Sequence, residues 1–106
     1  MKIWGHGIQE PLIGLEEVFL SKYDIQLLSA DKNPTLKFKL PNGVECIKFH
    51  SSREEFDALT NYDSDELNYG NIVNIVGRAS INEWQGRKIP QLIIKEYEQI
   101  RRDYNF

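Results

Sequence analysis

Three side chains that suit nucleic-acid binding stand together around residue 85. Trp84, Arg87 and Lys88 flank the dipeptide Gln85-Gly86, a short connection in which glycine supplies a positive φ. A fold normally places solvated polar residues at such a tip. An indole beside cations is what a single strand needs, because bases stack on the ring and phosphates meet the charges. Arg78 lies on the strand that leads to this tip. Trp84 has two readings, a stacking platform and a ring folded back to cap the core. Arg87 and Lys88 are phosphate contacts on the first reading and solvated loop cations on the second.

A second basic group precedes it. Lys37 and Lys39 alternate along one strand, Lys48 lies on the next, and Lys32 sits in the turn before them. Like charges on adjacent strands repel, and an anionic partner accounts for them, although lysines on an exposed sheet face are common. Other candidates carry less. His6 and His50 have no second ligand at a recognised spacing and read as surface histidines. Glu83, Glu96 and Glu98 lack a nucleophile or base partner and read as a solvated strand edge. Cys46, the one cysteine, falls in an apolar-alternating strand and reads as a small packing residue. No catalytic residue is expected in this chain.

The elements that position these residues follow from periodicity. A strand is expected from Val18, with Phe19, Tyr23, Ile25 and Leu27 on one side. Asp31-Lys32-Asn33-Pro34 is a turn by composition. Thr35 to Leu40 is the cleanest strand, with Leu36, Phe38 and Leu40 facing one way, and Pro41-Asn42-Gly43 closes a hairpin. The next strand runs from Val44 to about His50. Ile47 and Phe49 are expected inward, with Cys46, Lys48 and His50 opposite. Ser51 or Ser52 then caps a short helix whose apolar face holds Phe56 and Leu59. Thr60 to Gly70 reads as a polar, acidic loop. Two strands follow around the Gln85-Gly86 tip, with Val73 and Ile75 inward before it and Leu92 and Ile94 after it. Residues 1–16 read as a lead-in from a preceding domain, 17–98 as the domain proper, and 99–106 as a frayed helix or a link onward.

The order strand, strand, strand, helix, strand, strand predicts a mainly β protein. It is the order of an OB-fold, a five-stranded Greek-key barrel with a short helix between strands 3 and 4. Such barrels bind through strands two and three and the loops after strands one and four, where Lys32, Lys37, Lys39, Lys48, Trp84, Arg87 and Lys88 fall. The net charge of −3 opposes nucleic acid, but it is segregated. Six of the 16 acidic residues crowd between Glu54 and Glu66, and the rest of the chain sets 13 basic residues against 10 acidic ones. One basic and one acidic face are therefore expected, with Glu54 to Glu66 turned away from the lysines. At 106 residues with 41% hydrophobic content the chain suits one domain with a real core. A lone thiol and the lack of a long apolar run suit a cytoplasmic protein with no membrane partner.

The run Ile81-Asn82-Glu83-Trp84-Gln85-Gly86, then Pro90-Gln91-Leu92 and the ending Glu96-Tyr97-Glu98, resembles the OB domain of the RecJ single-stranded-DNA-specific exonucleases. Thr35-Leu36-Lys37-Phe38, Ile47-Lys48-Phe49 and the lead-in His6-Gly7-Ile8-Gln9-Glu10-Pro11-Leu12 fit the same pattern. Within that family the chain looks most like proteins of low-GC Gram-positive bacteria. The resemblance implies a parent enzyme that degrades single-stranded DNA from its 5′ end in recombination and repair. Its Mg or Mn would be held by an Asp-His-His-type core. This chain shows no such triplet and needs no cofactor of its own. It resembles an excised domain that binds DNA and does not cut it. The partners implied are single-stranded DNA, the parent's catalytic core and a single-strand-binding protein. The alternative is a structural or protein-interaction module that braces the core, a reading the acidic stretch favours.

Overall fold

A computed structural model describes residues 12–105. The first strand, β1 (Leu12–Leu20), stops where Ser21 and Asp24 cap each other: the Ser21 amide and hydroxyl both donate to Asp24 Oδ2, at 3.0 and 3.1 Å. A single 3-10 turn, Lys22–Asp24, follows, and β2 (Ile25–Leu28) resumes the direction. The expected single strand is thus broken, and the break resets its alternation. Leu20 and Ile25 are buried on either side of it, while Tyr23 is exposed. The chain continues through β3 (Thr35–Lys39), β4 (Glu45–Lys48), α1 (Arg53–Thr60), β5 (Tyr69–Trp84) and β6 (Arg87–Tyr104).

Among the described residues, six strands lie in the order β1-β5-β6-β4-β3-β2. β1 and β2 stand at the two ends of that order yet are consecutive in the chain. The Ser21–Asp24 corner therefore closes the sheet on itself, and β1 with β2 together form the first strand of a five-stranded barrel. β4 pairs with β6 in parallel, and the other pairs are antiparallel. With α1 between the third and fourth barrel strands, this is the OB-fold.

The interior holds Leu15, Leu20, Ile25, Leu36, Phe38, Cys46, Leu59, Val73, Ile75, Leu92 and Ile94, with Leu40, Phe56 and Tyr97 packed against them. Tyr97 meets Phe38 edge-on at 5.6 Å between ring centres. Asn71 is fully buried and satisfied. It donates to the carbonyls of Leu20 and Leu59 at 3.2 and 2.7 Å and accepts from Gln99 at 2.7 Å, which ties β1, α1, β5 and β6 together. Ser52 caps α1 by accepting from the Glu55 amide.

Two expectations need correction. β4 is turned by one residue: Cys46 faces the core against Phe38, and Lys48 faces the same way against Leu36. Ile47 is buried but on the outer side, and Phe49 is exposed. Residues up to 104 are not a frayed helix; β6 runs to Tyr104, paired with Tyr69 at the root of β5. Residues 1–11 of the expected lead-in, with His6, lie outside the described residues, and from Leu12 the chain is strand.

Candidate nucleic-acid interface

At the tip, Gln85 and Gly86 both take positive φ, 48° and 77°. That pair of values is the two-residue hairpin turn whose twist matches its flanking strands. It sets Trp84 directly opposite Arg87, and Glu83 opposite Lys88. Among the described residues β1 accompanies β5 as far as Arg78, and β4 meets β6 from Gln91 onward. Between those limits and the tip, the pairing of the described residues is that of the β5–β6 ribbon alone.

Which side chains share a face follows from the pairing, since directly opposed residues point the same way and successive ones alternate. Trp84 and Arg87 share the ribbon's outer face with Asn82, Ile89, Ser80 and Gln91. The same face continues through Arg78 and Ile93 to Ile47 and Glu45 of β4, then to Lys37 and Lys39 of β3. Trp84 is 60% exposed, so it does not cap the core. Lys88 falls on the opposite, inner side of the ribbon, facing Glu83.

The cations on that face differ in state. Lys37 Nζ lies 2.9 Å from Glu45 Oε2, so part of its charge is already met. Lys39, Arg78 and Arg87 are exposed. Lys32 is exposed in the turn before β3, where the amides of Lys32 and Asn33 donate to the Ser29 carbonyl.

Lys48 does not belong with them. Its ammonium sits 3.3 Å from both carboxylate oxygens of Glu55 on α1 and 5.9 Å from the centre of the Tyr97 ring. Burial, with the Glu55 carboxylate adding to it, pushes the Tyr97 phenol up to about 12. The expected ladder of Lys37, Lys39 and Lys48 on one surface is therefore split across the two sides of the sheet. The acidic stretch is not wholly turned away from those lysines either, since Glu55 engages Lys48. Asp65 engages Lys22 at 2.8 Å; the shared hydrogen bond raises the Lys22 pKa and lowers that of Asp65.

Phe49 is exposed where sequence reasoning expected it to be buried. The signal was present in the hairpin. Leu40 and Val44 close it, the Leu40 amide donating to the Val44 carbonyl at 3.0 Å. Counting outward from there sets Phe38 against Cys46 and Leu36 against Lys48, so Ile47 and Phe49 must face outward. Cys46 is sealed in the core, and burial pushes its thiol up to about 12, which leaves it inert. Among the described residues no group of three His, Cys, Asp or Glu side chains is placed to hold a metal ion. Among them, too, no helix is long and apolar enough to cross a membrane.

On the inner side of the ribbon an apolar cleft of about 290 Å³ opens at the barrel mouth, lined by Ile13, Leu40, Val44, Ile81, Pro90 and Leu92 among others.

Comparison with known proteins agrees with this architecture. The model of the RecJ OB domain matches residues 1–96. The chain is 34% identical over 98 residues to a protein of Bacillus subtilis (strain 168) named as an SPbeta prophage-derived single-strand DNA-specific exonuclease, YorK. It matches the corresponding protein of Bacillus phage SPbeta to the same extent. Each alignment covers 92% of this chain but only 16% of the relative, so the chain spans about a sixth of the length of these proteins. No solved structure matches it. A matched family model over nearly the whole chain, joined to the closed barrel and its ribbon, shows that the chain belongs to the RecJ OB domain family.

Proposed function

We propose that this chain is the single-stranded-DNA-binding module of a RecJ-like 5′→3′ exonuclease that works in recombination and repair. It grips the strand and leaves the cutting to a catalytic core that uses Mg or Mn. The observation that carries this reading is the exposed Trp84 opposite Arg87, at the tip of a ribbon whose outer face continues through Arg78 to Lys39. A base stacked on the indole leaves its phosphate within reach of Arg87, and the barrel face receives the following nucleotides. Lys32, Lys37 and Lys39 supply further phosphate contacts. Lys88 serves only a strand that wraps the ribbon edge, and Lys48 is withdrawn from the set because Glu55 holds it. A cytoplasmic location fits the buried, unpaired thiol of Cys46.

Titration with a fluorescent single strand tests the proposal. Affinity should fall as salt rises, because phosphate contacts release counterions. Trp84→Ala should weaken binding by about 1–3 kcal/mol with little change in melting temperature. A large loss of melting temperature with unchanged affinity would make Trp84 a packing residue and remove the stacking site.

A second reading, a module that braces the nuclease core or docks a partner such as a single-strand-binding protein, is favoured by the cleft beneath the ribbon. Exposed Ile81 and Pro90 border it, and apolar surface of that kind suits protein contact. Co-elution with the separately expressed core, undiminished by Trp84→Ala, would support this role.

A further inference from the structure

We infer that Phe49 is a second base-stacking platform, at the far end of the face that begins at Trp84, so that full binding needs a strand long enough to span both rings. This rests on the single-strand-binding reading above and adds to it a length requirement.

Phe49 follows Lys48, the last residue of β4 paired with β3, whose side chain is on the inner side. The next position therefore falls outward, on the face of Ile47, and the ring is 54% exposed. The backbone around it is fixed. His50 takes a left-handed φ of 56°, the Ser51 amide donates to the Pro34 carbonyl at 2.9 Å, and the Ser51 hydroxyl donates to the Lys48 carbonyl at 2.8 Å. A phenyl ring carried on that backbone and facing water has no polar atom to satisfy there, and a stacked base would cover it.

The register measures the span. From Arg87, opposite Trp84, six residues of β6 lead to Ile93, which pairs in parallel with Ile47, and two more residues reach Phe49. Eight steps at roughly 3.3 Å each give a path of about 26 Å along the strands between the two positions. That length suits the site sizes of roughly 4–16 nucleotides seen for OB-folds. Charge is arranged to match. Arg87 accompanies Trp84, and Lys32 lies two residues before the Pro34 that holds the Phe49 turn. Between the ends Lys37 pairs with Glu45, while Lys39 and Arg78 are exposed along the same face. Phosphates meet cations along the face, and the bases at its two ends meet a ring.

The probe is oligothymidylate of 3 and of 12 nucleotides, titrated against the wild type, Phe49→Leu and Phe49→Tyr, with melting curves on the same samples. Leucine keeps the apolar bulk and removes the ring; tyrosine keeps the ring. The expected result is a loss of about 5- to 150-fold on the 12-mer for Phe49→Leu. The 3-mer should change by less than about twofold, since it can still use Trp84. Phe49→Tyr should bind both like the wild type. Phe49→Leu binding the 12-mer as the wild type does, while Trp84→Ala weakens it, overturns this inference and leaves the binding reading standing. An equal loss on both lengths overturns the two-ended arrangement. Failure of the wild type to bind the 12-mer at all overturns the binding reading and this inference with it.

Discussion

Lys48→Glu should cripple the fold, whereas Lys39→Glu should cripple only binding, although the two lysines look alike in the sequence. The Lys48 side chain is 18% exposed and its ammonium is 3.3 Å from Glu55 Oε1, whose own side chain is 36% exposed. At that separation and an effective dielectric of about 20, the bare attraction is roughly 5 kcal/mol. Solvent screening of the part-exposed Glu55 and desolvation of both ions leave a smaller net worth. Charge reversal does more than delete the pair. It sets two carboxylates together beside the half-buried Tyr97, and breaking a largely buried pair in this way costs about 3–5 kcal/mol.

Against a total stability of about 5–15 kcal/mol, that is a large fraction. At about 4–8 °C per kcal/mol for a domain near this size, the melting temperature should fall by about 12 °C or more. Lys39 is exposed on the outer face, so its reversal should move melting by no more than a few degrees. The same change should lower single-strand affinity and the slope of that affinity with salt. Circular-dichroism melting and fluorescence titration on the same samples separate the two. If Lys48→Glu melts like the wild type and loses affinity as Lys39→Glu does, the assignment of Lys48 to the inner side is wrong. The single outer face then fails with it.

Two further outcomes follow from the barrel itself. Phe38 is fully buried and meets Tyr97 edge-on, so Phe38→Ala should destabilise by about 3–5 kcal/mol in urea unfolding, and a loss below 1 kcal/mol would show that the ring is not central to the core. Folding raises the Cys46 thiol from 9.0 to about 12 and the Tyr97 phenol from 10.0 to about 12. Their stabilisation is therefore complete below about pH 9 and is lost as pH rises toward 12, by about 1.4 kcal/mol per pH unit for each ionising group. Between pH 9 and 10 the thiol dominates, so melting temperature should fall there in the wild type and less in Cys46→Ala; equal slopes would exclude the thiol as the cause.

The parts of the fold legible in the sequence were those announced locally. Pro41-Asn42-Gly43 and Gln85-Gly86 name their turns by residue type. Ser52 and the Phe56, Leu59 spacing mark the helix, and Leu36 with Phe38 shows which way β3 faces. The break at Ser21–Asp24 was not legible from alternation, because Tyr23, Ile25 and Leu27 keep a period of two across it. The capping exchange between Ser21 and Asp24 competes with the strand ladder, and such side-chain bonds to the backbone leave no mark on hydrophobic period. The length of β6 was missed for a similar reason. Its last residues carry charges that meet solvent, other charges or an aromatic ring. Arg101 reaches Glu17 and Asp103, and Arg102 lies over the Tyr62 ring.

The error at the site was of another kind, and its consequence is specific. In β4, Cys46 and Ile47 are both apolar and both buried, so apolar alternation cannot say which of them faces the core; only pairing with β3 decides. A slip of one residue in a strand exchanges every side chain between faces. Here it exchanged a lysine for a phenylalanine: Lys48 leaves the outer face to meet Glu55, and Phe49 enters it. Undoing that slip changes the chemistry of the face from a ladder of three cations to two aromatic rings at its ends, with the Lys37–Glu45 pair and the exposed Lys39 and Arg78 between them. A cation ladder would hold any polyanion along its length, duplex or single-stranded. Rings held at two ends require unstacked bases, which a duplex does not present. On the proposed binding reading, selectivity for single strands comes from the rings, and affinity from Lys39, Arg78 and Arg87. Raising the salt should accordingly weaken binding of single strands while leaving their preference over duplex intact or enlarged. A preference that vanished with salt would return the lysines to the leading role.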